Sequence, residues 1–306
     1  MSLEFILTLL AAAVQSGTPI LYATLGEIVT EKSGILNLGV EGIMIFGALA
    51  AFLTSLFTGS PLLGFLAGGF AGAMLGGLHG LVCLGFQGNQ VVSGLALTIL
   101  GTGLASYLGT PFIGQIAPGF TILQIPLLSR LPVLGKIFFN HDALVYVSYL
   151  IPPLLWIFFR YTRWGLGMRA AGEYPPAATA SGLSVAGYRW AGILAGGYLV
   201  GLGGAYLSLA YTHLWANGLA AGRGWIAVAL VIFAFWHPGR AILGAYLFGG
   251  VMAFQLRLQA MGAHLPSSLL LMLPYGLTVI VLVFSSWKRD ASQAPAALGI
   301  NIAPSE

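Results

Sequence analysis

The apolar residues of this chain fall in nearly uninterrupted blocks about 20 long, and that pattern constrains everything else. The run from Val91 to Thr110, for example, carries no charge. At 1.5 Å per residue, about 20 helical residues cross the roughly 30 Å hydrocarbon layer, whereas an amphipathic helix changes face every three or four positions. Of the 306 residues, 58% are hydrophobic and 7% charged, against about 25% charged in a soluble domain. So few charges cannot coat a water-facing surface. The bilayer is therefore the solvent, and the fold class is all-α: a polytopic transmembrane bundle of about nine helices.

The expected spans are Phe5 to Leu25, Ile35 to Leu56, Leu62 to Gly85, Val91 to Thr110, Leu144 to Phe159, Trp190 to Tyr211, Trp225 to Trp236, Ala241 to Leu256 and Leu269 to Phe284. Together they make one transmembrane unit over residues 1–289. Residues 290–306, rich in Ala, Pro and Ser, read as a disordered tail. The first segment lacks the basic start and small-residue cleavage site of a removed signal peptide, and so counts as a span. The 44 glycines would weaken soluble helices, but in lipid small residues let helices approach closely and associate by packing.

Cytoplasmic connections carry the excess of Lys and Arg. With the connection from Arg160 to Arg189 inside, alternation puts Lys32, Arg160, Arg163, Arg169, Arg189, Arg240, Lys288 and Arg289 in the cytoplasm. Arg130, Lys136, Arg223 and Arg257 are left outside or in the membrane. The N-terminus is then outside and the C-terminus inside. Pro111 to Asp142 reads as a packed extracellular cap. The net charge of +4 is scattered singly between spans, which argues against a nucleic-acid surface.

Polar residues at membrane depth are the candidates for function. Gly26 to Gly42 holds Glu27, Glu31, Lys32, Asn37 and Glu41 between two apolar runs. Ionisable groups there cost at least about 2.5 to 3.5 kcal/mol each, so they persist beside water or paired with each other. Glu27, Glu31 and Lys32 also fit a short cytoplasmic turn. Asn37 and Glu41, four apart, are expected to share one helix face, lining a path or making an interhelical hydrogen bond. A second glycine-interrupted stretch, Tyr211 to Gly224, carries Arg223 in the other half of the chain. Paired interruptions of this kind point to a substrate path in transporters.

The inner connection contains Pro175, Pro176 and Gly182, bounding a two-turn helix from Pro176 to Ser181 with a small, smooth face of Ala, Thr and Ser. Such a helix can enter a groove on a partner, with Arg169 and Glu173 at the rim. Enzymatic signatures are missing. Gly135-Lys136 is followed by Ile137 and preceded by Arg130 where a phosphate loop needs its first glycine. The histidines (His79, His141, His213, His237 and His264) lie far apart, with no metal-binding spacing, and read as hydrogen-bonding residues between helices. The single cysteine, Cys83, sits in an apolar run and reads as packing.

Four blocks resemble one family: Gly26 to Gly42, Asn89 to Thr98, Trp164 to Ala178 and Ala221 to Leu230. The chain is similar to the permease subunits of bacterial ABC importers in the branched-chain amino acid and simple-sugar superfamily, in the nucleoside-type branch. The resemblance implies a coupling helix that docks on an ATPase, carried here by Arg169, Gly172, Glu173, Pro175, Ala177, Ala178 and Gly182. Tyr174 stands where the family often has Asn. A translocation path would draw on Glu27, Glu31, Asn37, Glu41, Asn89, Gln90 and Arg223. The resemblance further implies two ATP-binding subunits, a paralogous second permease and an extracellular solute-binding protein. No cofactor is expected in this chain, with ATP and Mg on the partner ATPase subunits. The location is the bacterial plasma membrane and the solute a nucleoside, nucleobase or simple sugar. An ion- or proton-coupled secondary transporter using the three glutamates is the main alternative; an intramembrane enzyme lacks any visible nucleophile or metal constellation.

Overall fold

The computed structural model describes residues 3–262, 266, 269–270, 272–287 and 294–301. The expected run Leu269 to Phe284 is therefore only partly described, and His264, Lys288 and Arg289 lie outside the described residues.

Helices α1 (Leu3–Lys32), α2 (Val40–Thr58) and α3 (Pro61–Gly80) are followed by α4 (Gln90–Gly109), the short α5 (Leu134–Phe138) and α6 (Ala143–Tyr161). Then come α7 (Arg163–Glu173), α8 (Pro175–Ala180), α9 (Val185–Tyr206), α10 (Arg223–Phe233), α11 (Pro238–Ala260) and α12 (Leu273–Trp287). Helices α3 and α9 each run on into a π-helical turn, Leu81–Gly85 and Leu207–Tyr211. Each expected apolar block corresponds to a helix. Among the described residues, seven helices are long and apolar enough to cross a membrane. Helix α10, with 11 residues, is shorter than a span.

Local chemistry sets the helix starts. Ser60 precedes Pro61 and accepts from Leu63 N–H, while Asn89 caps α4 at Val92 N (3.0 Å). Asp142 Oδ1 accepts from Leu144 and Val145 N–H at 2.9 and 3.2 Å, Thr162 caps α7 at Gly165 N, and Ser184 caps α9 at Gly187 N. Each side-chain oxygen takes up an amide that has no partner within its helix. Burial raises the Asp142 pKa above the ordinary carboxylate value, and the two cap hydrogen bonds oppose that rise.

Helix α1 packs against α9 and α11, and α2 against α3, α9 and α4. Glycine makes this closeness possible. A Cβ placed on Gly47 of α2 would stand 2.8 Å from the Gly201 backbone of α9, and one on Gly72 of α3 would stand 2.7 Å from Gly201 Cα. Real Cβ atoms do not approach so near, so α2, α3 and α9 meet backbone to backbone. Dispersion and close packing hold them, because lipid supplies no hydrophobic drive between helices.

Residues 110–142 cap the bundle end opposite α7 and α8. Strands β1 (Ile122–Gln124) and β2 (Asn140–Asp142) pair antiparallel, with Ile122 opposite Asp142. Ser55 Oγ donates to Pro118 O (2.6 Å), and Ala117 and Phe120 N–H donate to His213 O and Leu209 O.

Two expectations change. The connection from Arg160 to Arg189 is mostly helical: Thr162 turns extended, ends α6 and caps α7. The tail is also not disordered over 294–301. These residues form turns in which Ala297 and Gly299 N–H donate to Gly172 O and Gly34 O, while Arg189 Nη1 donates to Ile300 O (2.8 Å).

Replacing Gly201 with Val should destabilise the fold by about 1–3 kcal/mol through overpacking. Melting in detergent checks this, with Gly103→Val as the comparison, because a Cβ at Gly103 meets nothing. An equal melting temperature for both variants would show that the three-helix contact is not close-packed.

Candidate functional site

The chain between α1 and α2 leaves the helical path inside the bundle. Residues 34–39 pack against α4, with Leu38 backbone beside Gly94. Non-helical backbone at this depth must find partners within the protein, and polar side chains supply them. Leu36 N–H donates to Gln90 Oε1 (2.8 Å) and Asn37 N–H to Glu27 Oε1 (3.1 Å). Gly39 N–H donates to Asn37 Oδ1 (2.8 Å), and Leu38 O accepts from Thr98 Oγ1 (2.9 Å). His79 Nε2 lies 3.1 Å from Leu36 O. A carbonyl only accepts, so that nitrogen carries the proton and Nδ1 is left to Ser93 Oγ at 2.9 Å.

The second irregular stretch, residues 212–222, descends from the opposite end and starts α10 inside the bundle. The amides at that start are taken by Glu41 of α2. Gly222 N–H donates to Oε1 at 2.8 Å and Gly224 N–H to Oε2 at 2.7 Å. A carboxylate at a helix N-terminus meets both orphan amides and the positive end of the helix dipole. Gly222 takes φ +81°, in the left-handed region, which lets the chain turn sharply into α10. Arg223 is buried and folds back on Leu219 O and Ala220 O (3.4 and 3.2 Å), with its guanidinium 5.4 Å from the Tyr211 ring centre. The two interruptions thus meet through a single side chain.

Glu27 and Glu31 occupy successive turns of α1 with adjoining carboxyl groups. Glu31 Oε2 accepts from the Trp236 indole N–H. Trp236 and its neighbour Phe235 both take positive φ, 53° and 50°, an unusual geometry for bulky residues. The bend aims the indole at α1.

The expected path residues therefore divide. Glu27, Glu31, Asn37 and Gln90 are enclosed, between 0 and 3% exposed, and neither of the first two lies in a turn. Asn37 and Glu41 do not share a helix face: Asn37 folds onto Gly39 N–H, and the helix begins only at Val40. Asn89 is exposed, on a groove of about 650 Å3 that also includes His79, Ser93 and Leu97. Glu41 and Arg223 lie together at the start of α10.

The expected coupling residues gather at the bundle end opposite the 110–142 cap, beside the 34–39 stretch. Arg169 and Glu173 are exposed on α7. On α8, Ala177 is exposed, but Ala178 is buried against Ala171 and Val185. The outward face is thus Pro176, Ala177, Thr179 and Ala180. Gly172 lies under the tail and against the Lys32 carbonyl. Asn301 joins this end to α4: it accepts from Gln90 Nε2 (2.8 Å) and donates to Gln87 O and Gly88 O. Thr98, Trp236 and Asn301 went unmarked in the sequence, since each is an ordinary residue whose partner is remote in the chain.

A helical bundle with two irregular stretches joined at membrane depth and an exposed short helix at one pole has the build of a membrane permease. The chain matches the family described as branched-chain amino acid transport system / permease component over residues 9–282, and it belongs to that family. It is 42% identical to a protein of Haloferax volcanii provisionally named a glucose ABC transporter permease, TsgC13, over 86% of this chain and 81% of the other. It is 36% identical to the nucleoside ABC transporter permease NupC of Lactococcus lactis over 93% of each chain. Identity to the guanosine ABC transporter permease NupQ of Bacillus subtilis is 32%, over 92% of this chain and 93% of the other. Haloferax volcanii and Bacillus subtilis each hold a second, less similar permease, TsgB13 at 25% and NupP at 22%. No solved structure matches.

Glu41→Gln should leave one of the two α10 amides without an acceptor, at a cost of about 1–3 kcal/mol. Amide exchange over residues 222–226 should speed up and the melting temperature fall. Unchanged exchange would mean that Glu41 does not hold α10. In a background without Cys83, a cysteine at Asn37 should resist a small water-soluble thiol reagent, whereas one at Asn89 should react.

Proposed function

We propose that this chain is one of two non-identical permease subunits through which an ATP-driven importer moves a nucleoside across the plasma membrane by alternating access. The observation that carries the solute class is the full-length similarity to NupC and NupQ, which spans more than nine-tenths of both chains. The similarity to TsgC13 supports a second reading, a simple sugar. A nucleobase is the remaining candidate. The two-permease arrangement rests on the pairs of related permeases in Haloferax volcanii and Bacillus subtilis.

The α7–α8 pole is the cytoplasmic, ATPase-facing end. Lys32, Arg160, Arg163, Arg169, Arg189 and Arg240 collect there, as the distribution of basic residues in membrane proteins requires. The N-terminus is then outside and the C-terminus inside. The exposed face of α8 enters a groove of the ATP-binding subunit, with Arg169 and Glu173 available for pairing at the rim. ATP and Mg reside on that subunit, and a separate extracellular protein delivers the solute. The path would draw on Glu41, Arg223 and the start of α10, and Glu27, Glu31, Asn37 and Gln90 brace the backbone behind it.

Reconstituted complex should hydrolyse ATP several-fold faster when its binding protein is loaded with a nucleoside, and not with glucose. Stimulation by glucose alone would establish the sugar reading. Replacing Ala177 and Ala180 with Trp should abolish co-purification of the ATPase and solute uptake while the bundle keeps its melting temperature. Retained ATPase with normal uptake would remove α8 from the interface.

A further inference from the structure

We infer that a cavity between the ends of α1 and α6, the middle of α7 and the α10–α11 link binds the phosphate group of an anionic membrane lipid. Its volume is about 320 Å3, within the roughly 300–1,000 Å3 typical of ligand sites. Lys32, Arg160 and Arg169 line it, and no carboxylate does. None of the three is held in an ion pair among the described residues. Lys32 Nζ lies 5.4 Å from the Phe159 ring centre, and the Arg160 guanidinium 5.7 Å from that of Trp156. Two carboxylates stand close by: Glu173 lines a neighbouring cavity that shares Lys32 and Arg169, and Glu31 is engaged by the indole N–H of Trp236 behind the wall. Together they do not offset Lys32, Arg160 and Arg169.

A fourth donor completes the wall. His237 Nδ1 accepts from Gly239 N–H (3.1 Å), so the neutral ring carries its proton on Nε2. Burial, then Arg240, then Lys32 hold the His237 pKa below the usual value. Helix α11 begins at Pro238 on the same wall, which adds the positive end of its dipole.

The location selects the ligand. Trp156, Arg160 and Tyr161 are exposed on the outer side of the α6 terminus, and Trp and Tyr collect where a bilayer meets water. The mouth therefore stands at headgroup depth, where basic pockets between helices capture anionic headgroups. A bound phosphate would neutralise the cations and bridge α1, α6 and α7. The binding itself does not depend on which solute is carried. Only its consequence for coupling, through Arg169, rests on the function proposed above.

The test is native mass spectrometry of the delipidated transporter complex, without ATP or solute, titrated with phosphatidylglycerol, phosphatidylcholine or inorganic phosphate. Phosphatidylglycerol should bind at least tenfold more tightly than phosphatidylcholine. The exposed substitution Arg160→Gln should reduce that preference at least threefold, and Lys32→Gln added to it should abolish it. Equal binding of the two lipids, or an unchanged preference in the double variant, would overturn the site. Inorganic phosphate displacing the lipid at equal concentration would assign the cavity to a soluble phosphate and overturn the lipid. Since none of these readings involves transport, a wrong solute assignment leaves them intact.

Discussion

Inside hydrocarbon, a peptide group without a partner costs several kcal/mol, and the architecture of this permease follows from how it meets that demand at two breaks. Both are irregular stretches within the bundle, residues 34–39 and 212–222. Side chains from distant helices fasten both, and in 212–222 backbone bonds such as Trp215 N–H to Gln115 O and Ala221 N–H to Gly218 O share the task. Glu41 closes one on α10; Glu27, Gln90, Thr98 and His79 close the other. Charges and amides that would be a liability in lipid become the fastening of the breaks.

This division of labour explains why glycine and buried polar residues coexist in so few helices. Where α2, α3 and α9 touch through Gly47, Gly72 and Gly201, there is no room for side chains and contact is backbone to backbone. Where the backbone turns irregular, the adjoining helices must present long polar side chains instead. Arg189 shows the same economy at the pole: it is buried, and one of its nitrogens serves the carbonyl of Ile300.

The helical bundle was legible because span length is dictated by membrane thickness and leaves a run of apolar residues behind it. The blocks around Glu41 and Arg169 were legible as places of interest because polar residues are conspicuous against that background. Their geometry was not. Asn37 and Glu41 are spaced for a common helix face, but an Asn can fold onto the amide two residues ahead, and here it does, before the helix begins. Ala178 looked equivalent to Ala177, yet a helix of two turns has an inward side, and only tertiary contact with Ala171 and Val185 says which residue takes it. Gln90 meets partners 54 and 211 positions away, a relation that no local pattern encodes.

The strap formed by residues 294–301 has a consequence in time. It follows every membrane-spanning helix among the described residues, so during synthesis it is made after them. Until it arrives, Gly34 O, Gly172 O and the Arg189 guanidinium lack the partners it brings, and that pole of the newly inserted subunit is unlatched. Maturation of the face on which α8 is displayed thus waits for the docking of these few turns, and a ribosome that stops short of them releases the described helices without their latch.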